Sequence, residues 1–271
     1  YEIPLRLVGS EMCIRDREKA YKNNDMEEQK LFEYTYSLEP ADVNGQKELP
    51  LTLLVKRILE VATLHAESWN AGYSTLIKTR EAWVLSRLVV EMYRYPQIQE
   101  EYTLQTWVES YNRHFSARNF TIYDKDRNVC GYAQTIWVVI NLDTRESLDI
   151  TQYEYIARNV CPEKKIEIAP QSRIRNVADE HPLHFDIKYS DIDLNRHFNS
   201  VKYVEHIVDL FPLERFDRNR VGRFEISFMN EAGYGETVEL YRCEESSGNF
   251  TAEMRHGEKT LCRSRIVFVP R

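Results

Sequence analysis

The chain contains one structural unit twice, and this internal repeat limits its fold more than any other feature of the sequence. Residues 41–58 (ADVNGQKELPLTLLVKRI) and 190–207 (SDIDLNRHFNSVKYVEHI) align without a gap. In both segments a polar turn rich in Asp and Asn precedes apolar residues that recur at intervals of three and four, which predicts an amphipathic helix. Two related units in one chain are therefore expected.

The correspondence continues downstream of each helix. The segments 88–110 and 224–246 are each typical of a strand, a tight turn and a second strand. The tripeptide Asn-Phe-Thr then recurs at 119–121 and 249–251, followed by a charged turn and a last strand. Each unit is predicted to be one helix followed by several long antiparallel strands.

This order of elements predicts an α+β fold of the double hot-dog type. The first helix, from Pro50 to about Trp69, would bury its apolar face against a curled antiparallel sheet, which describes a hot-dog unit. Two tandem units would share one sheet as a pseudo-dimer. We expect the N-terminal unit over residues 26–145, a linker over 146–180 and the C-terminal unit over 181–271.

The first 25 residues are expected to lie outside both units, as a non-native or disordered extension. The chain does not begin with methionine, and residues 1–17 share neither the periodicity nor the composition of the rest of the chain. The segment VGSEMCIRDR resembles translated sequencing-adapter read-through. A natural start near Met26 is therefore predicted, and residues 1–25 are expected to add nothing to the fold.

Charge and hydropathy argue against two classes of function. With 43 Asp and Glu against 36 Lys and Arg, the formal net charge is −7, and no basic tail supplies the clustered cations that nucleic-acid binding needs. No run approaches the roughly 20 apolar residues of a membrane-spanning helix. Five cysteines without a CxxC pair favour a reduced, cytosolic chain over a disulfide framework.

The two units differ in the turn before the helix, where only the second combines aspartate with histidine. Asp193, Asn195 and His197 alternate directly before a helix that begins near Ser200. In an extended segment this alternation would direct the three side chains to one side, with the helix N-terminus behind them to stabilise an oxyanion. Such groups suit acyl transfer at one site per chain. Ordinary N-capping explains the same spacing, so both interpretations stay open.

A wider pattern resembles a known family, the acyl-acyl-carrier-protein (acyl-ACP) thioesterases of plants and bacteria. Its active-site motif is Ser-Asp-x-Asp-x-Asn-x-His-x-Asn-Asn-x-x-Tyr, and SDIDLNRHFNSVKY (190–203) is similar to it, with Asp193, Asn195 and His197 on the three motif residues. Four segments of the first unit also resemble the N-terminal signatures of that family: WVLSR (83–87), RYP (94–96), TWV (106–108) and WVVINLDTR (137–145). The likeness spans about residues 30–270.

The resemblance implies hydrolysis of fatty acyl thioesters on acyl carrier protein, with no metal or organic cofactor. It also implies a further catalytic residue, Glu231, which takes the place of the glutamate in the family pattern Arg-Arg-Glu-Cys-Gly. Ala232 replaces the cysteine of that pattern, so a Cys-His mechanism is not available there. Ser200 stands where the family usually has Asn, and it is assigned with Asn199 to substrate binding.

The four catalytic candidates are each given a role. His197 and Glu231 would activate water, Asn195 and the helix amides would polarise the carbonyl, and Asp193 would position the imidazole or act as a nucleophilic carboxylate. Water attack and an anhydride intermediate both stay open. An acyl-CoA thioesterase and a non-catalytic acyl-binding module remain alternative functions, and a homodimer is left open.

Two further sets of residues are assigned to the substrate and its carrier. The resemblance implies that the first unit receives the acyl chain, and we expect Trp83, Met92 and Trp107 to line its tunnel. An acidic carrier protein needs a local positive patch, which this chain offers beside the second helix, although a solvated charged turn explains it equally. The patch consists of Arg215, Arg218, Arg220 and Arg223, together with Lys164 and Lys165. Since no transit peptide is recognised, a bacterial cytosol is the expected location.

Overall fold

The computed structural model describes residues 30–177 and 181–271 and is built on one ten-stranded antiparallel sheet. The predicted extension over residues 1–25 lies outside the described residues. The strands are β1 (Phe32–Ser37), β2 (Glu81–Met92), β3 (Glu101–Tyr111), β4 (Ser116–Asp124), β5 (Val129–Asn141), β6 (Leu183–Asp186), β7 (Asn219–Phe228), β8 (Thr237–Ser246), β9 (Asn249–His256) and β10 (Lys259–Pro270). The α-helices of the described residues are α1 (Leu51–Ser68), α2 (Tyr73–Leu76), α3 (Glu154–Arg158), α4 (Ser200–Val208) and α5 (Leu213–Arg218).

The order of the strands shows a pseudo-two-fold axis. Across the sheet they run β1-β3-β4-β5-β2-β7-β10-β9-β8-β6, so each half has the same internal order when read from its outer edge. At the junction of the halves Val89 pairs with Glu225, between the pairs Leu88–Ile226 and Val90–Phe224. This symmetric register is the one that the alignment of 88–110 with 224–246 requires. The predicted double hot-dog fold is confirmed.

Irregularities of the strands repeat in both units. The β2–β5 ladder skips Ser86, between the pairs of Leu85 and Arg87, and the β7–β10 ladder skips Gly222 at the equivalent place. Such a bulge bends a strand and increases its twist, as a sheet that curls around a helix needs. Shared bulges therefore support a common ancestry of the two halves in geometry as well as sequence.

The alignment of the repeated tripeptide needs a correction. Trp107 pairs with Asn119 in the first unit, and the equivalent Cys243 pairs with Thr251 in the second. Asn119 therefore corresponds to Thr251 and not to Asn249. A shift of two residues is one full period of a strand, so the matched side chains still face the same side of the sheet.

Helix α1 forms because its apolar residues follow the helical period and the sheet offers them a surface. Pro50 stands immediately before the first turn, where its missing N–H costs no hydrogen bond. The buried positions are Leu51, Leu54, Val55, Ile58, Val61, Ala62, His65 and Ala66. Burying each large aliphatic side chain stabilises the fold by roughly 1.5–3 kcal/mol. The same core continues through α4 into the second unit.

The opposite face of the sheet is crossed by the segment between β5 and β6. On β7 the side chains of Phe224 and Ile226 enter the core, so that of Glu225 must point to the other face. There the Ser172 N–H and hydroxyl donate to Glu225 Oε2 at 3.0 and 2.8 Å. Farther along, the Val177 N–H donates to the buried carboxylate of Glu253 at 2.8 Å. These carboxylates hold the connecting segment against the sheet.

Arg223 links the two units at the boundary between β2 and β7. Arg223 donates to Glu91 Oε2 at 2.6 Å, across the β2–β7 boundary, and to Glu225 Oε1 at 2.7 Å. It also donates to the carbonyl oxygens of Ala169 and Pro170. The Glu225 side chain is only 2% exposed, so this ion pair supplies a cation to a buried carboxylate. Among the described residues, no helix has the length and apolar character needed to cross a bilayer.

We predict that Arg223→Met lowers the free energy of unfolding by about 3 kcal/mol, because a buried carboxylate is left without its cation. Urea unfolding followed by circular dichroism measures the loss. Arg218→Met, at an exposed position of α5, is the matched control and should change stability by less than about 0.5 kcal/mol. Equal losses in the two variants would contradict this role of Arg223.

Candidate active site

Three of the four predicted catalytic residues, Asp193, Asn195 and His197, lie in a closed turn and not in an extended segment. The Asp193 N–H donates to the His197 carbonyl oxygen at 2.9 Å. Asp193 Oδ1 accepts hydrogen bonds from the Asn195 N–H at 2.8 Å and the His197 N–H at 3.1 Å. Arg196 adopts a left-handed conformation with φ 66°. The expectation that simple alternation aligns the three side chains is therefore wrong, since Asp193 bends the chain by binding its own backbone.

The first unit contains the same turn with different chemistry. Asn44 Oδ1 accepts hydrogen bonds from the N–H groups of Gln46 and Glu48 at 3.0 and 3.1 Å, and Lys47 has φ 61°. Each of these residues precedes its counterpart in the second unit by 149 positions. The turn is thus a shared element of the fold, and its second copy carries the aspartate and the histidine.

The turn is fixed against the loop that follows β7. The Phe198 N–H donates to the Ala232 carbonyl oxygen at 2.8 Å, and His197 and Gly233 form an antiparallel bridge. This pairing brings His197 Nδ1 to 3.5 Å from Glu231 Oε1. That distance is longer than a formed hydrogen bond, although catalytic pairs often tighten only when substrate is bound. The two side chains are 35% and 41% exposed, so water reaches them.

Arg145 of the first unit completes this cluster and was not among the residues predicted from the sequence. Its guanidinium donates to Glu231 Oε2 from the turn after β5. The Lys259 ammonium group donates to the Glu231 backbone carbonyl oxygen at 2.6 Å. Arg145 is the last residue of WVVINLDTR (137–145), a segment that carries the family resemblance. Its place in that segment is the sequence feature from which a role in the site could have been predicted. The site is therefore assembled from both units.

Asn199 has a structural task that does not fit its assignment to substrate binding. Its side chain caps α4, with Oδ1 accepting the Val201 N–H at 2.9 Å, and its own N–H donates to the Asp191 carbonyl oxygen at 2.8 Å. The cap occupies one of the amides that the helix N-terminus would otherwise present. Ser200 is the first residue of the helix, as predicted from the sequence.

A cavity of about 250 Å³ opens beside the turn. Leu194 and Asn195 line it from the second unit, and every other lining residue comes from residues 62–156. Both turn residues are exposed, so they stand at its solvent-facing end. The walls are mainly apolar and include Ala62, Ala66, Trp83, Trp137, Leu142 and Ile156. An apolar chain lying in this cavity would therefore meet the candidate catalytic turn.

Trp83 contributes to this cavity, whereas Met92 and Trp107 do not. Met92 is in the core at the other end of β2, nine residues or about 30 Å from Trp83. Trp107 faces the opposite side of the sheet, where its indole N–H donates to the Lys164 carbonyl oxygen at 2.9 Å. Neither residue lines this cavity, so the expectation that both line one tunnel together with Trp83 is wrong.

Aromatic residues fill the equivalent space in the second unit. By strand register Arg118 and Trp137, which line the cavity, correspond to Phe250 and Phe268. Phe211 packs edge-on against both phenylalanine rings, each with a centroid distance of 4.9 Å. The equivalent of His197 is Glu48, whose carboxylate accepts two hydrogen bonds from Arg271. The second unit therefore has aromatic rings where the first has the cavity, and the turn of the first unit has neither the aspartate nor the histidine of the second.

The arginine cluster does not form the predicted docking patch. Arg223 is held in its ion pairs, Arg220 donates to the Pro270 carbonyl oxygen at 2.7 Å, and Arg215 lies 5.3 Å from the Phe250 ring centroid. Arg218 remains exposed, but Gln46 donates to the neighbouring Asp217 at 2.8 Å, which places α5 beside the first unit's turn. These arginines follow the second helix in the sequence, but α5 lies beside the turn of the first unit and not beside the turn that precedes the second helix.

The two lysines assigned to the same patch are also engaged elsewhere. The Lys164 ammonium lies 4.7 Å from the Trp107 ring centroid, and Lys165 pairs with Glu109 at 2.5 Å. Both belong to the segment that crosses the outer face of the sheet. Within residues 30–177 and 181–271, no group of three or more His, Cys, Asp or Glu side chains is arranged to hold a metal ion.

Comparison with known proteins decides the family. The model of the acyl-ACP thioesterase N-terminal domain matches residues 29–158, and that of the C-terminal domain matches residues 174–268. The chain belongs to the acyl-ACP thioesterase family. A solved acyl-ACP thioesterase from Bacteroides thetaiotaomicron is 35% identical and superposes with a TM-score of 0.83, covering 90% of this chain and 100% of that one.

More distant relatives of this acyl-ACP thioesterase family member come from plants. The 12:0-ACP thioesterase from Umbellularia californica has a TM-score of 0.79 at 18% identity, covering 89% of this chain and 98% of that one, a likeness in fold. The chloroplastic oleoyl-acyl carrier protein thioesterase 1 of Arabidopsis thaliana is 25% identical over 217 residues, which are 73% of this chain and 59% of the relative. The chain thus spans less than two thirds of that relative's length.

We predict that Asp193→Asn and Asp193→Ala differ in stability, because only asparagine keeps a side-chain oxygen that can accept the hydrogen bonds of the turn. Asparagine retains the oxygen that the turn requires, as Asn44 does in the first unit, so stability should be unchanged. Alanine leaves two backbone N–H groups without their acceptor and should cost about 1–2 kcal/mol. Chemical unfolding measures both. If the two variants were equally stable, the side-chain oxygen of residue 193 would have no part in holding the turn.

Proposed function

We propose that this chain hydrolyses fatty acyl thioesters carried on acyl carrier protein, releasing free fatty acid and holo-carrier. The observation that carries the proposal is that Asn195 stands at the mouth of an apolar cavity, in the same turn as His197, which faces Glu231. In this proposal the apolar cavity binds the fatty acyl chain, and the polar turn contacts the thioester group. Family membership gives independent support to this reaction class.

In the proposed mechanism, His197 is the general base. Its Nδ1 faces the Glu231 carboxylate, so Nε2 remains for a water molecule. Water attacks the thioester carbonyl carbon while its proton passes to Nε2. The tetrahedral intermediate then expels the thiolate of the carrier's prosthetic arm, which takes the proton back from the imidazolium. Glu231, itself held by Arg145, stabilises that imidazolium during the transfer.

Asn195 is proposed to stabilise the oxyanion. Its side-chain amide is at the cavity mouth, and the positive end of the α4 dipole follows four residues later. Asp193 has Oδ1 occupied by two backbone N–H groups, which favours a role in shaping the turn. A nucleophilic Asp193 would instead form an acyl anhydride. Trapping an acyl group on the Asp193 side chain in a single turnover would support that route, and failure to trap one would support direct attack by water.

The proposed partner is acyl carrier protein, and its prosthetic arm would approach the turn directly. Leu194, Met229 and Tyr234 are large apolar side chains that stay exposed on the two segments that form the site. Nearby, Arg196 and Lys259 are exposed cations that an acidic carrier would meet. This surface replaces the arginine cluster as the proposed docking region. We place the reaction in the bacterial cytosol, in keeping with the free thiols of Cys130, Cys161, Cys243 and Cys262.

We predict that the full chain releases fatty acid from a panel of acyl carrier protein thioesters and that His197→Ala lowers kcat about 100-fold or more. His184→Ala is the matched control, since that histidine is exposed on β6, and it should retain wild-type rates. Faster release from acyl-CoA than from carrier substrates would favour an acyl-CoA thioesterase. Tight acyl binding with negligible turnover, equal in wild type and His197→Ala, would show a binding module instead.

A further inference from the structure

Arg118 is a buried cation in the wall of the otherwise apolar cavity. It lies on β4 and is only 5% exposed. Its Nη1 donates to His65 Nδ1 at 2.8 Å and to Thr106 Oγ1 at 3.3 Å. Its Cζ is 5.4 Å from the Trp69 ring centroid. These contacts hold the guanidinium in place and neutralise none of its charge.

Arg118 has no carboxylate partner in the part of the chain that the structure describes. Among the residues that the structure describes, none pairs with it within 4.0 Å; the acidic side chain of the cavity wall, Glu81, instead accepts a hydrogen bond from the Tyr153 hydroxyl. Burial lowers the pKa of Arg118 to about 9, so the group stays charged at neutral pH. Buried charges in proteins are normally paired, because desolvation otherwise costs several kcal/mol. Arg118 therefore departs from the usual pattern at the place where a substrate would lie.

Other hydrogen-bond donors in the same cavity wall also favour an occupant that carries oxygen atoms. Within the described part of the chain, the hydrogen bonds of the Arg118 guanidinium come from Nη1, which leaves Nε and Nη2 for another acceptor. The indole Nε1 of Trp69, another lining residue, is buried without a hydrogen-bond partner there. An occupant that supplies oxygen atoms would satisfy such donors, whereas a hydrocarbon would displace water and leave them unpaired.

The fold itself does not require an arginine at this position. The equivalent residue of the second unit is Phe250, whose ring packs in an aromatic cluster on the same kind of strand. A phenylalanine is thus compatible with the sheet and with the helix above it. The strand position of Arg118 therefore carries a charge in the first unit and an aromatic ring in the second.

We propose that Arg118 determines specificity, and that the cavity prefers acyl chains bearing a hydrogen-bond-accepting oxygen, as hydroxyl or carboxylate, in the part remote from the thioester. This inference rests on the proposed thioesterase function. The acyl chain would enter the cavity past the exposed Asn195. The buried Arg118 would then contact acyl atoms beyond the reacting carbonyl. A site built to bind an oxygen discriminates strongly against the analogue that lacks it.

The test compares carrier-protein thioesters of matched length that end in a methyl, a hydroxyl or a carboxyl group. Across a series of chain lengths, wild type should show kcat/KM at least about tenfold higher for the best oxygen-bearing member than for the methyl chain of that length. Arg118→Met, of similar length and without charge, should abolish this preference. Arg118→Lys retains the charge and should keep part of it. The hydroxyl and carboxyl arms identify which oxygen is preferred.

Failure of this inference is distinguishable from failure of the proposed function. Release from methyl-terminated substrates with no preference for oxygen at any length would overturn the inference and leave the thioesterase function intact. No release from any thioester would overturn the function; the shift in Tm caused by free ω-hydroxy acids, dicarboxylic acids and plain fatty acids would then test the cavity directly. If Arg118→Met does not fold, the wild-type preference and Arg118→Lys decide the question.

Discussion

The antiparallel pairing of β2 with β7 is the interaction on which the rest of the structure depends. It joins two half-sheets that would otherwise each expose a long edge strand, a ready site for unwanted association. Because the pairing is symmetric about Val89 and Glu225, it also sets how each unit meets the other. In this arrangement Arg145 of the first unit reaches Glu231 of the second.

On this symmetric frame the two units have diverged in complementary ways. The first keeps an open space where its partner unit has Phe250 and Phe268, and the second keeps an aspartate and a histidine in a turn that both units build alike. Neither unit has both features. A site composed of a cavity from one unit and a turn from the other therefore exists once, and it depends on both halves being folded together.

Some polar side chains of the turn hold its backbone, and others face the cavity or the solvent. Asp193 and Asn199 accept main-chain hydrogen bonds, which is the usual task of such residues before a helix. The pair of His197 and Glu231 remains partly open to water, and Asn195 reaches the cavity. Asp193 and Asn199 thus stabilise the turn, whereas substitutions of His197, Glu231 or Asn195 are expected to change kcat without a loss of stability.

Much of this protein was determined by the sequence itself: the repeat, the helical and strand periods, the α+β class and the turn that carries Asp193 and His197. These features depend on local backbone geometry, which a run of residues expresses on its own. Only the tertiary structure decided that Arg145 joins Glu231, that Met92 and Trp107 lie away from the cavity, and that Arg215, Arg220 and Arg223 make contacts within the protein. Such contacts depend on strand register and on which face of the sheet each side chain occupies, and both are set by pairings between residues far apart in the chain.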